Sequence, residues 1–416
     1  MNQRRVAITG LGLVSPYGGD LADFFARLSA GESAIRYLLT DDQPRPLSIP
    51  FVSCPAFDPD AVLGKPLASM MDRFAQLGMA AAFGAWDDAG LPRQAEGESR
   101  DSWGVSWGTA LGGTLAYEKG YRELWQKGRE RLSPLAVVLG MNNAANAHIS
   151  IQLGLGGISM SHTVACASSA IAIGEAFRRV RSGEATIMLT GGSDVPQAYG
   201  VARAWEALRV MAPGNAETSP FACRPFGADR RGLVLGEGGA ALVLEDWDHA
   251  VARGARIHGE MLGYGTSCDH SHLVRPEVEG QVRALKLTLA DAGLTPADID
   301  YINAHGTATA EGDPVEIGAL KAVFGERAAR LPVSATKSMH GHLLGAAGAI
   351  EAIATVLALR EQVVPPTANL QDNLDPACTG VDHVTTDRRQ TLRAALSNSF
   401  AFGGSNAVLA FRAVAP

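Results

Sequence analysis

The chain has no long apolar run. A membrane-spanning helix needs about 18 consecutive apolar residues, and the most apolar segment, residues 343–359, is interrupted by glycines and by Glu351. A short signal peptide is a second possibility at the N-terminus, where two arginines precede an apolar stretch. Thr9 and two glycines interrupt that stretch and no small-residue cleavage pattern follows, so residues 6–14 predict a buried strand. We therefore expect no membrane insertion.

Charge of either sign is not concentrated in any segment. The 416 residues carry 36 Lys and Arg against 43 Asp and Glu, a formal net charge of −7, and no run of five or more like charges occurs. This balance excludes a general basic surface of the kind that binds nucleic acid. An anionic partner must therefore meet a local basic patch. With 46% hydrophobic residues, the chain is typical of a globular protein.

Cysteines are few, odd in number and scattered, and none forms a CxxC pair. This pattern excludes a disulfide framework and a cysteine-based zinc site, and it predicts a reducing, cytoplasmic location. Nucleotide motifs are also missing, since Gly10 and Gly12 lack the third glycine of a dinucleotide loop and no GK[ST] occurs. Two His-x-His pairs, at 270/272 and 340/342, have no partners at ligand spacing, so we expect no metal site. The five cysteines are Cys54, Cys166, Cys223, Cys268 and Cys378.

Short β-branched runs alternate with helical stretches along the chain, which predicts α/β architecture. A weak internal sequence similarity indicates duplication. Residues 236–245 and 403–411 each contain a glycine turn that leads into a strand, and residues 255–266 resemble the opening 5–15. We therefore predict two similar α/β halves packed as one core. The predicted halves are residues 1–252 and 253–416, and the predicted strands are 5–14, 103–109, 185–191, 240–245, 301–304, 332–335, 394–398 and 407–412.

The first candidate for chemistry is Cys166. Apolar residues at 170, 173, 177 and 180 follow helical spacing, and Gly183 ends the helix that they predict. Arginines at 178, 179 and 181 suit the C-terminal end of that helix, which places Cys166 at its N-terminal end. There the helix dipole favours a thiolate, so we expect a lowered pKa and a nucleophilic thiol. Without further partners, such a cysteine would be interpreted as a buried structural residue.

Two histidines follow predicted strands. His305 leaves a strand end into a loop, and Asp313 with Pro314 then predicts a helix start. His342 again lies between a strand end and a helix. Functional groups often lie at the carboxyl ends of strands, so we expect His305 to point into a cleft, with His342 in a similar position. Each histidine taken alone also fits a hydrogen-bonded imidazole without a catalytic function.

Taken together, these segments resemble the condensing enzymes of the thiolase superfamily, in particular the elongating 3-oxoacyl-acyl-carrier-protein synthases of type II fatty acid and polyketide systems. The resemblance spans nearly the whole chain. It implies a thiolase-like α/β fold of two similar halves in five layers, α-β-α-β-α. It also implies decarboxylative condensation of a cysteine-bound acyl chain with a malonyl thioester. The motifs that carry it are residues 6–12, 108–113, the Cys166 segment, 224–226, 236–238, both histidine segments and 398–406.

The resemblance assigns roles to individual residues. Cys166 would be the acylated nucleophile, flanked by His305 and His342, while Lys337 shapes the hydrogen-bond network with Glu351. Neutral imidazole N–H groups can hold the enolate oxygen that forms when malonyl thioester loses CO2. The backbone N–H groups of the nucleophile and of a C-terminal loop residue would hold the tetrahedral oxyanion. The remaining assignments are Thr307 and Thr309 to the pantetheine arm, Leu111 to the acyl pocket, Phe402 to the oxyanion hole, and Phe400, Ala401 and Phe402 to the gate.

The sequence departs from the family's usual pattern at Gly227, Arg231, His340 and Ala401, where acidic residues (at the first two), threonine and glycine are common. The catalytic set is unaffected, so the departures concern the pathway and make a dedicated polyketide, polyene or lipid pathway plausible. One alternative is a non-elongating chain-length-factor subunit, but that subunit lacks the nucleophile. A thiolase would need a second cysteine near the C-terminal glycine loop, where none occurs.

The resemblance also implies partners. Substrates would arrive on the phosphopantetheine of an acyl carrier protein, with no cofactor of the enzyme's own. The enzyme would form a homodimer or a heterodimer with a homologous chain-length-factor subunit. Carrier proteins are acidic, so we predict docking through a local basic patch, with an ordinary solvated face as the alternative. The predicted docking residues are Lys65, Arg73, Lys127, Arg129 and Arg131.

Overall fold

The structure is a computed structural model that describes residues 3–40, 45–95, 97 and 99–414. Within these residues, strands and helices alternate as expected for an α/β protein. The strands are β1 (Val6–Val14), β2 (Arg36–Thr40), β3 (Leu47–Val52), β4 (Trp103–Gly108), β5 (Ser159–His162), β6 (Ile187–Asp194), β7 (Leu235–Gly236), β8 (Gly238–Asp246), β9 (Gly259–Cys268), β10 (Tyr301–Asn303), β11 (Pro332–Ser334), β12 (Val363–Val364), β13 (Asp382–His383), β14 (Arg388–Arg389), β15 (Ala394–Phe400) and β16 (Ser405–Arg412). The helices are α1 (Leu21–Ser29), α2 (Pro59–Leu63), α3 (Lys65–Ala68), α4 (Arg73–Asp88), α5 (Thr114–Trp125), α6 (Ala136–Gly140), α7 (Ala144–Leu153), α8 (Ser168–Ser182), α9 (Tyr199–Ala207), α10 (Trp247–Ala252), α11 (Val278–Ala292), α12 (Gly312–Phe324), α13 (Lys337–His340) and α14 (Ala347–Glu361).

The main sheet repeats one strand pattern twice. Its order is β13-β11-β10-β15-β16-β9-β1-β8-β6-β4-β5. On one side β1, β8 and β6 pair antiparallel and β6, β4 and β5 pair parallel. On the other side β9, β16 and β15 pair antiparallel and β15, β10 and β11 pair parallel. The two halves meet where β1 pairs with β9 over Val6–Ile8. The chain therefore contains two similar α/β halves, as predicted.

Helices form three layers around the two halves of this sheet. The central helices α8 and α14 contact each other and pack against strands of both halves. On the outside, α4 packs against β1, β6 and β8, and α11 packs against β9 and β16. Within the central layer α14 is enclosed on all sides, since every residue from Ala347 to Leu359 is buried. This arrangement is the α-β-α-β-α order expected from the sequence.

The glycines of β1 serve packing between a strand and a helix. A Cβ atom on Gly10 would lie 2.0 Å from the carbonyl oxygen of Ala85, and one on Gly12 would lie 2.2 Å from that of Ala81. Only glycine therefore allows α4 to lie so close to the strand. This contact gives these glycines a structural reason that involves no nucleotide.

The predicted strands coincide with observed strands, with shifts at their ends. The predicted strand at 394–398 continues to Phe400. In the segment 255–266, which resembles the opening strand, the observed strand begins at Gly259. The predicted start of α12 is wrong by two residues: Glu311, not Asp313, is the N-cap, and the helix begins at Gly312. The Asp313 carboxylate instead accepts the N–H groups of Phe226 and Ala308. Among the described residues, none of the helices combines the length and the apolar character that a bilayer crossing demands.

Candidate active site

Cys166 lies in a strained turn ahead of a central helix. The 3-10 turn Ala165–Ala167 joins β5 to α8, so Cys166 precedes the helix by two residues. Ala165 has φ 45°, a left-handed conformation that costs a non-glycine residue on the order of 1–3 kcal/mol. The Ser168 hydroxyl secures the turn, because it accepts the N–H of Val164 at 2.8 Å and donates to the carbonyl of Ala165 at 2.7 Å. The predicted helix, including its end at left-handed Gly183, is observed.

The pKa of Cys166 is higher than the sequence predicts. Burial raises it to about 11, and this effect outweighs the opposing influence of Lys337 and of the backbone N–H groups of Phe402 and Cys166 itself. The expectation of a lowered pKa was wrong, because the thiol is only 6% exposed and a thiolate there is poorly solvated. The resting group is therefore a thiol, surrounded by donors that favour negative charge.

Two imidazoles face this thiol. His305 follows β10 after one residue, and His342 is held by its N–H, which donates to the carbonyl of Val234 at 2.7 Å. The two rings are nearly perpendicular, with centroids 5.5 Å apart. Nitrogens of both rings and Sγ of Cys166 all lie within 4.8 Å of one another. The structure thus brings together three residues that are 37 to 176 positions apart in the sequence.

Hydrogen bonds identify both imidazoles as neutral donors. Burial, with the charge of Lys337, holds the pKa of His305 and of His342 well below its usual range. Nδ1 of His342 accepts the N–H of Leu344 at 3.2 Å, and Nζ of Lys337 lies 3.3 Å from Nδ1 of His305. Each proton must then sit on Nε2. Nε2 of His342 is buried without a partner among the described residues, so it is free to donate to a substrate.

Lys337 and Glu351 form a buried ion pair beside the cluster. Both side chains are 1% exposed, and Nζ of Lys337 also donates to the carbonyl of His305 at 2.7 Å. Burial raises the pKa of Glu351 to about 7, although Lys337 opposes the shift. The neighbouring His340 takes no part: it is fully buried, and its two nitrogens lie 2.9 Å from the carbonyl of Gly341 and 3.0 Å from the hydroxyl of Thr336.

The loop after β15 closes over the cluster. The ring of Phe400 lies 6.1 Å from that of His305, and the N–H of Phe402 reaches the thiol of Cys166. The turn is formed by Gly403 and Gly404, with φ 86° and 78°, whereas Ala401 does not have a positive φ. Phe402 also stacks on Trp205 of α9, with centroids 5.9 Å apart and planes 20° apart. Trp205 was not identified from the sequence, because no motif marks it.

A cavity of about 380 Å³ leads to the cluster. Thr307 and Thr309 line it, with hydroxyl oxygens 3.1 Å apart. Leu111 does not line it; this residue packs in the apolar cluster that contains Leu233 and Leu344. The other predicted residues on its wall are Cys166, His305, His342, Phe400, Ala401 and Phe402.

The predicted docking residues differ in how free their charges are. Lys65, Lys127, Arg129 and Arg131 are exposed, but Lys127 and Arg129 both pair with Glu123. Arg73 makes two bonds of 2.6 and 2.7 Å to buried Glu237, a partner 164 residues away that the sequence does not reveal. Its charge is therefore balanced by an ion pair within the fold, and a docking role for Arg73 stays a prediction.

Three further arginines surround the mouth of the cavity. Arg209, Arg231 and Arg275 line it and are exposed, and none has an ion-pair partner in the part of the chain that the structure describes. No sequence motif marks Arg209 or Arg275, and Arg231 stands out in the sequence only as a departure from the family pattern. Their separation along the chain conceals the cluster.

The thiol and the two imidazoles are also the donor types that zinc prefers. Within the described residues, their group contains no fourth histidine, cysteine or carboxylate. The neutral Nε2–H groups point hydrogen-bond donors, not lone pairs, at the space between them. This arrangement suits a substrate oxygen better than a cation.

Relatives by sequence cover the chain from end to end. It is 43% identical over 411 residues to "Nodulation protein E" of Rhizobium leguminosarum bv. trifolii, with 99% of this chain and 100% of that protein covered. It is 39% identical over 412 residues to "3-oxoacyl-[acyl-carrier-protein] synthase 2" of Coxiella burnetii, with 98% of each covered. The similarity therefore includes both halves of the fold.

Solved structures superpose on the whole chain as well. A β-ketoacyl synthase from Burkholderia phymatum has a TM-score of 0.91 at 35% identity, with 99% of this chain and 100% of that chain covered. The ishigamide ketosynthase/chain length factor has a TM-score of 0.89 at 33% identity, with the same coverage. A type II polyketide ketosynthase in complex with its acyl-carrier protein has 0.89 at 29% identity, again with the same coverage.

Family matches agree with the resemblance found in the sequence. Residues 3–250 match the family "Beta-ketoacyl synthase, N-terminal domain", and residues 258–371 match "Beta-ketoacyl synthase, C-terminal domain". These matches confirm the predicted thiolase-like fold and the predicted acyltransferase class. The chain belongs to the β-ketoacyl synthase family.

Proposed function

We propose that this protein condenses an acyl chain held on Cys166 with a malonyl group held on an acyl carrier protein. The observation that carries the proposal is the meeting of a buried thiol with two neutral imidazole donors, His305 and His342, at the inner end of one cavity. A thiol can carry the acyl chain, and two N–H donors can hold an enolate oxygen.

The first half-reaction loads the acyl chain. Sγ of Cys166 attacks the thioester carbonyl, a new C–S bond forms, and the pantetheine sulfur leaves and takes the thiol's proton. Because burial keeps Cys166 protonated, the transition state needs help with negative charge. The N–H groups of Cys166 and Phe402 supply it at the carbonyl oxygen. Removal of one such donor typically costs about 10²–10³ in rate.

The second half-reaction extends the chain. The bond between the malonyl carbon and its carboxylate breaks, CO2 leaves, and the electron pair forms an enolate whose oxygen accepts the Nε2–H groups of His305 and His342. The carbanion then attacks the acyl carbonyl on Cys166, a C–C bond forms, and the Cys166 thiolate leaves and takes a proton from solvent. Neutral imidazoles suit this step because they donate hydrogen bonds without protonating the carbon. Lys337 keeps His305 neutral by raising the cost of a second positive charge.

The remaining predicted residues take their proposed places on the cavity wall or in its surroundings. Thr307 and Thr309 offer hydroxyls to the amides of the pantetheine arm, and Phe400 and Ala401 belong to the gate beside the cluster. Leu111 contributes to the acyl pocket from the apolar cluster that it shares with Leu233, a residue of the cavity wall. For docking, the arginines at the mouth, together with Lys65 and Arg131, match the acidic surface of a carrier.

The assembly and location follow the same proposal. Similar proteins include a ketosynthase bound to an acyl-carrier protein and a ketosynthase/chain length factor. We propose a homodimer or a heterodimer with such a factor, with the retained Cys166 assigning this chain to the catalytic subunit. The boundary between the halves is placed at 252/253, between α10 and β9. The five cysteines are all free, which supports a cytoplasmic location.

The intact mass of the carrier-bound product tests this function. The protein is incubated with malonyl-carrier and a panel of saturated, unsaturated and aromatic acyl primers. We expect a 3-oxoacyl carrier that is two carbons longer than the primer, and the accepted primers then distinguish a fatty acid pathway from a polyketide or polyene pathway. Absence of product with every primer, with the protein alone and with a chain-length-factor partner added, would contradict the proposal.

A further inference from the structure

Asp194, the last residue of β6, is a buried carboxylate without a role in the steps above. It is 0% exposed, and the largest influences on its pKa are burial and hydrogen bonds from three backbone N–H groups and the Thr109 hydroxyl. Burial raises that pKa to about 6, while hydrogen-bond donors oppose the shift, so the group is ionised at neutral pH. Oδ2 accepts the N–H groups of Ala110 and Gly345, each at 2.8 Å. Oδ1 accepts the N–H of Leu111 at 3.2 Å and the hydroxyl of Thr109 at 3.3 Å.

These donors come from two segments with different tasks. Residues 109–111 follow β4 and include Leu111, which belongs to the proposed acyl pocket. Gly345 lies in the 3-10 turn Leu344–Ala346, whose first N–H donates to Nδ1 of His342 at 3.2 Å. One carboxylate therefore joins the wall of the acyl pocket to the turn that orients a proposed catalytic imidazole.

The contact between these segments leaves no free space. A Cβ atom on Gly345 would lie 2.3 Å from the nitrogen of Ala110 and 2.7 Å from Oδ2 of Asp194. The turn also packs against the turn that carries Cys166. Leu344 has φ 47° and Ala165 has φ 45°, so each turn contains a strained non-glycine residue that its surroundings must hold in place. A displacement of residues 109–111 must therefore also move the Gly345 turn, because no free space between them can absorb it.

We propose that Asp194 is a positioning residue that couples the acyl pocket to His342. An acyl chain that displaces the Leu111 loop moves the Gly345 turn through the shared carboxylate, and with it the imidazole that holds the enolate. This inference rests on the proposed function. It makes the rate of malonyl decarboxylation depend on the length of the chain bound to Cys166.

The test compares Asp194→Asn and Asp194→Glu across primers of increasing length. An amide has one acceptor oxygen, so the asparagine variant loses either the N–H groups of Ala110 and Gly345 or the N–H of Leu111. In both orientations its NH2 group meets a backbone donor of residues 109–111, so the hold on that segment is weakened. For Asp194→Asn we expect decarboxylation to fall about 10-fold or more with the best primer. KM for malonyl-carrier should stay within about 2-fold, and the rates with different primers should converge. Asp194→Glu keeps the charge, so we expect it to retain primer dependence with a shifted optimum.

Asp72→Asn is the matched control. Asp72 is 6% exposed, accepts two backbone N–H groups, at 3.3 and 2.7 Å, and has a pKa raised by burial, but it does not line the cavity. The inference fails if Asp194→Asn retains the wild-type dependence of decarboxylation on primer length. It also fails if Asp194→Asn lowers the rates of self-acylation and of decarboxylation with every primer by the same factor as the control does. If the asparagine variant does not fold, an unchanged primer optimum in Asp194→Glu overturns the inference. A wild-type protein that condenses no primer would instead refute the proposed function.

Discussion

Nζ of Lys337 donates to the carbonyl of His305 at 2.7 Å and lies 3.3 Å from Nδ1 of the same residue. This double contact holds the His305 backbone and ring together, and the positive charge disfavours a protonated imidazole. The same ammonium is paired with buried Glu351. Lys337 thus combines a structural task with control of the protonation state of its neighbour.

Lys337→Met should destabilise the protein and alter its pH dependence. Removal of one partner from a buried ion pair leaves Glu351 uncompensated, which typically costs about 3–5 kcal/mol. The pKa of His305 should rise. As the pH is lowered, His305 should therefore become protonated, and malonyl decarboxylation should be lost, at a higher pH than in the wild type. Denaturant unfolding and a pH–rate profile measure the two effects. Lys337→Met combined with Glu351→Leu should regain stability but not activity; recovery of both would contradict the role of the charge.

Trp205→Ala should slow acyl transfer to Cys166. The indole of Trp205 stacks on Phe402, whose N–H reaches the thiol of Cys166. Such aromatic pairs stabilise a packed arrangement by about 0.5–1.5 kcal/mol. We expect up to about a 10-fold loss in the rate of covalent acyl labelling, with Trp205→Phe close to the wild type. Trp125→Ala is the control, because that side chain is 77% exposed and does not line the cavity. Equal rates for Trp205→Ala and Trp205→Phe would show that stacking does not position the loop.

Charge reversal at the cavity mouth should weaken use of the carrier. Arg209→Glu, Arg231→Glu and Arg275→Glu should each raise KM for malonyl-carrier and reduce its salt dependence, with kcat little changed. The comparison pair is Arg129→Glu with Arg131→Glu, which reverses two of the charges first predicted from the sequence. Steady-state kinetics at low and high salt separate the two surfaces. A KM that responds only to the second pair would move the docking site to α5 and the loop after it.

His340 should make stability depend on pH. Burial lowers its pKa to about 3, against 6.5 in the unfolded chain. Between these two pH values the unfolded state binds a proton at His340 and the folded state does not. The contribution of neutral His340 to the free energy of unfolding is present above pH 6.5 and is lost as the pH falls from 6.5 towards 3. Between pH 7.5 and 5.5 the wild type should lose about 1.4 kcal/mol of unfolding free energy relative to His340→Gln. Unfolding at both pH values measures this difference, and an unchanged difference would place the His340 pKa near its usual value.

Local patterns in the sequence located eight strands of the main sheet and the cluster residues, but not β2, β3 or β5. The helical spacing after Cys166 and the strand ends before His305 and His342 depend on neighbours within a few positions. The repeated strand pattern was visible as two similar glycine turns. Layer order follows once two such halves must bury their apolar helices between them.

Properties that depend on distant parts of the chain could not be predicted in this way. The pKa of Cys166 was expected to be low because of its position at a helix N-terminus, but burial of the thiol in the folded protein raises it instead. Arg73 was assigned to a surface because its partner Glu237 lies in another element. The stacking of Trp205 and the arginines at the cavity mouth arise only from the folded arrangement of loops.

The two half-reactions, measured separately in single variants, test the central claim most directly. Acyl labelling and malonyl decarboxylation are followed by mass spectrometry in Cys166→Ala, His305→Ala and His342→Ala. Cys223→Ala is the control, since Cys223 is another buried cysteine and does not line the cavity. We predict that Cys166→Ala loses all labelling, that both histidine variants lose decarboxylation more severely than labelling, and that the control loses neither. Normal labelling of Cys166→Ala, or equal loss of both half-reactions in both histidine variants, would contradict the account.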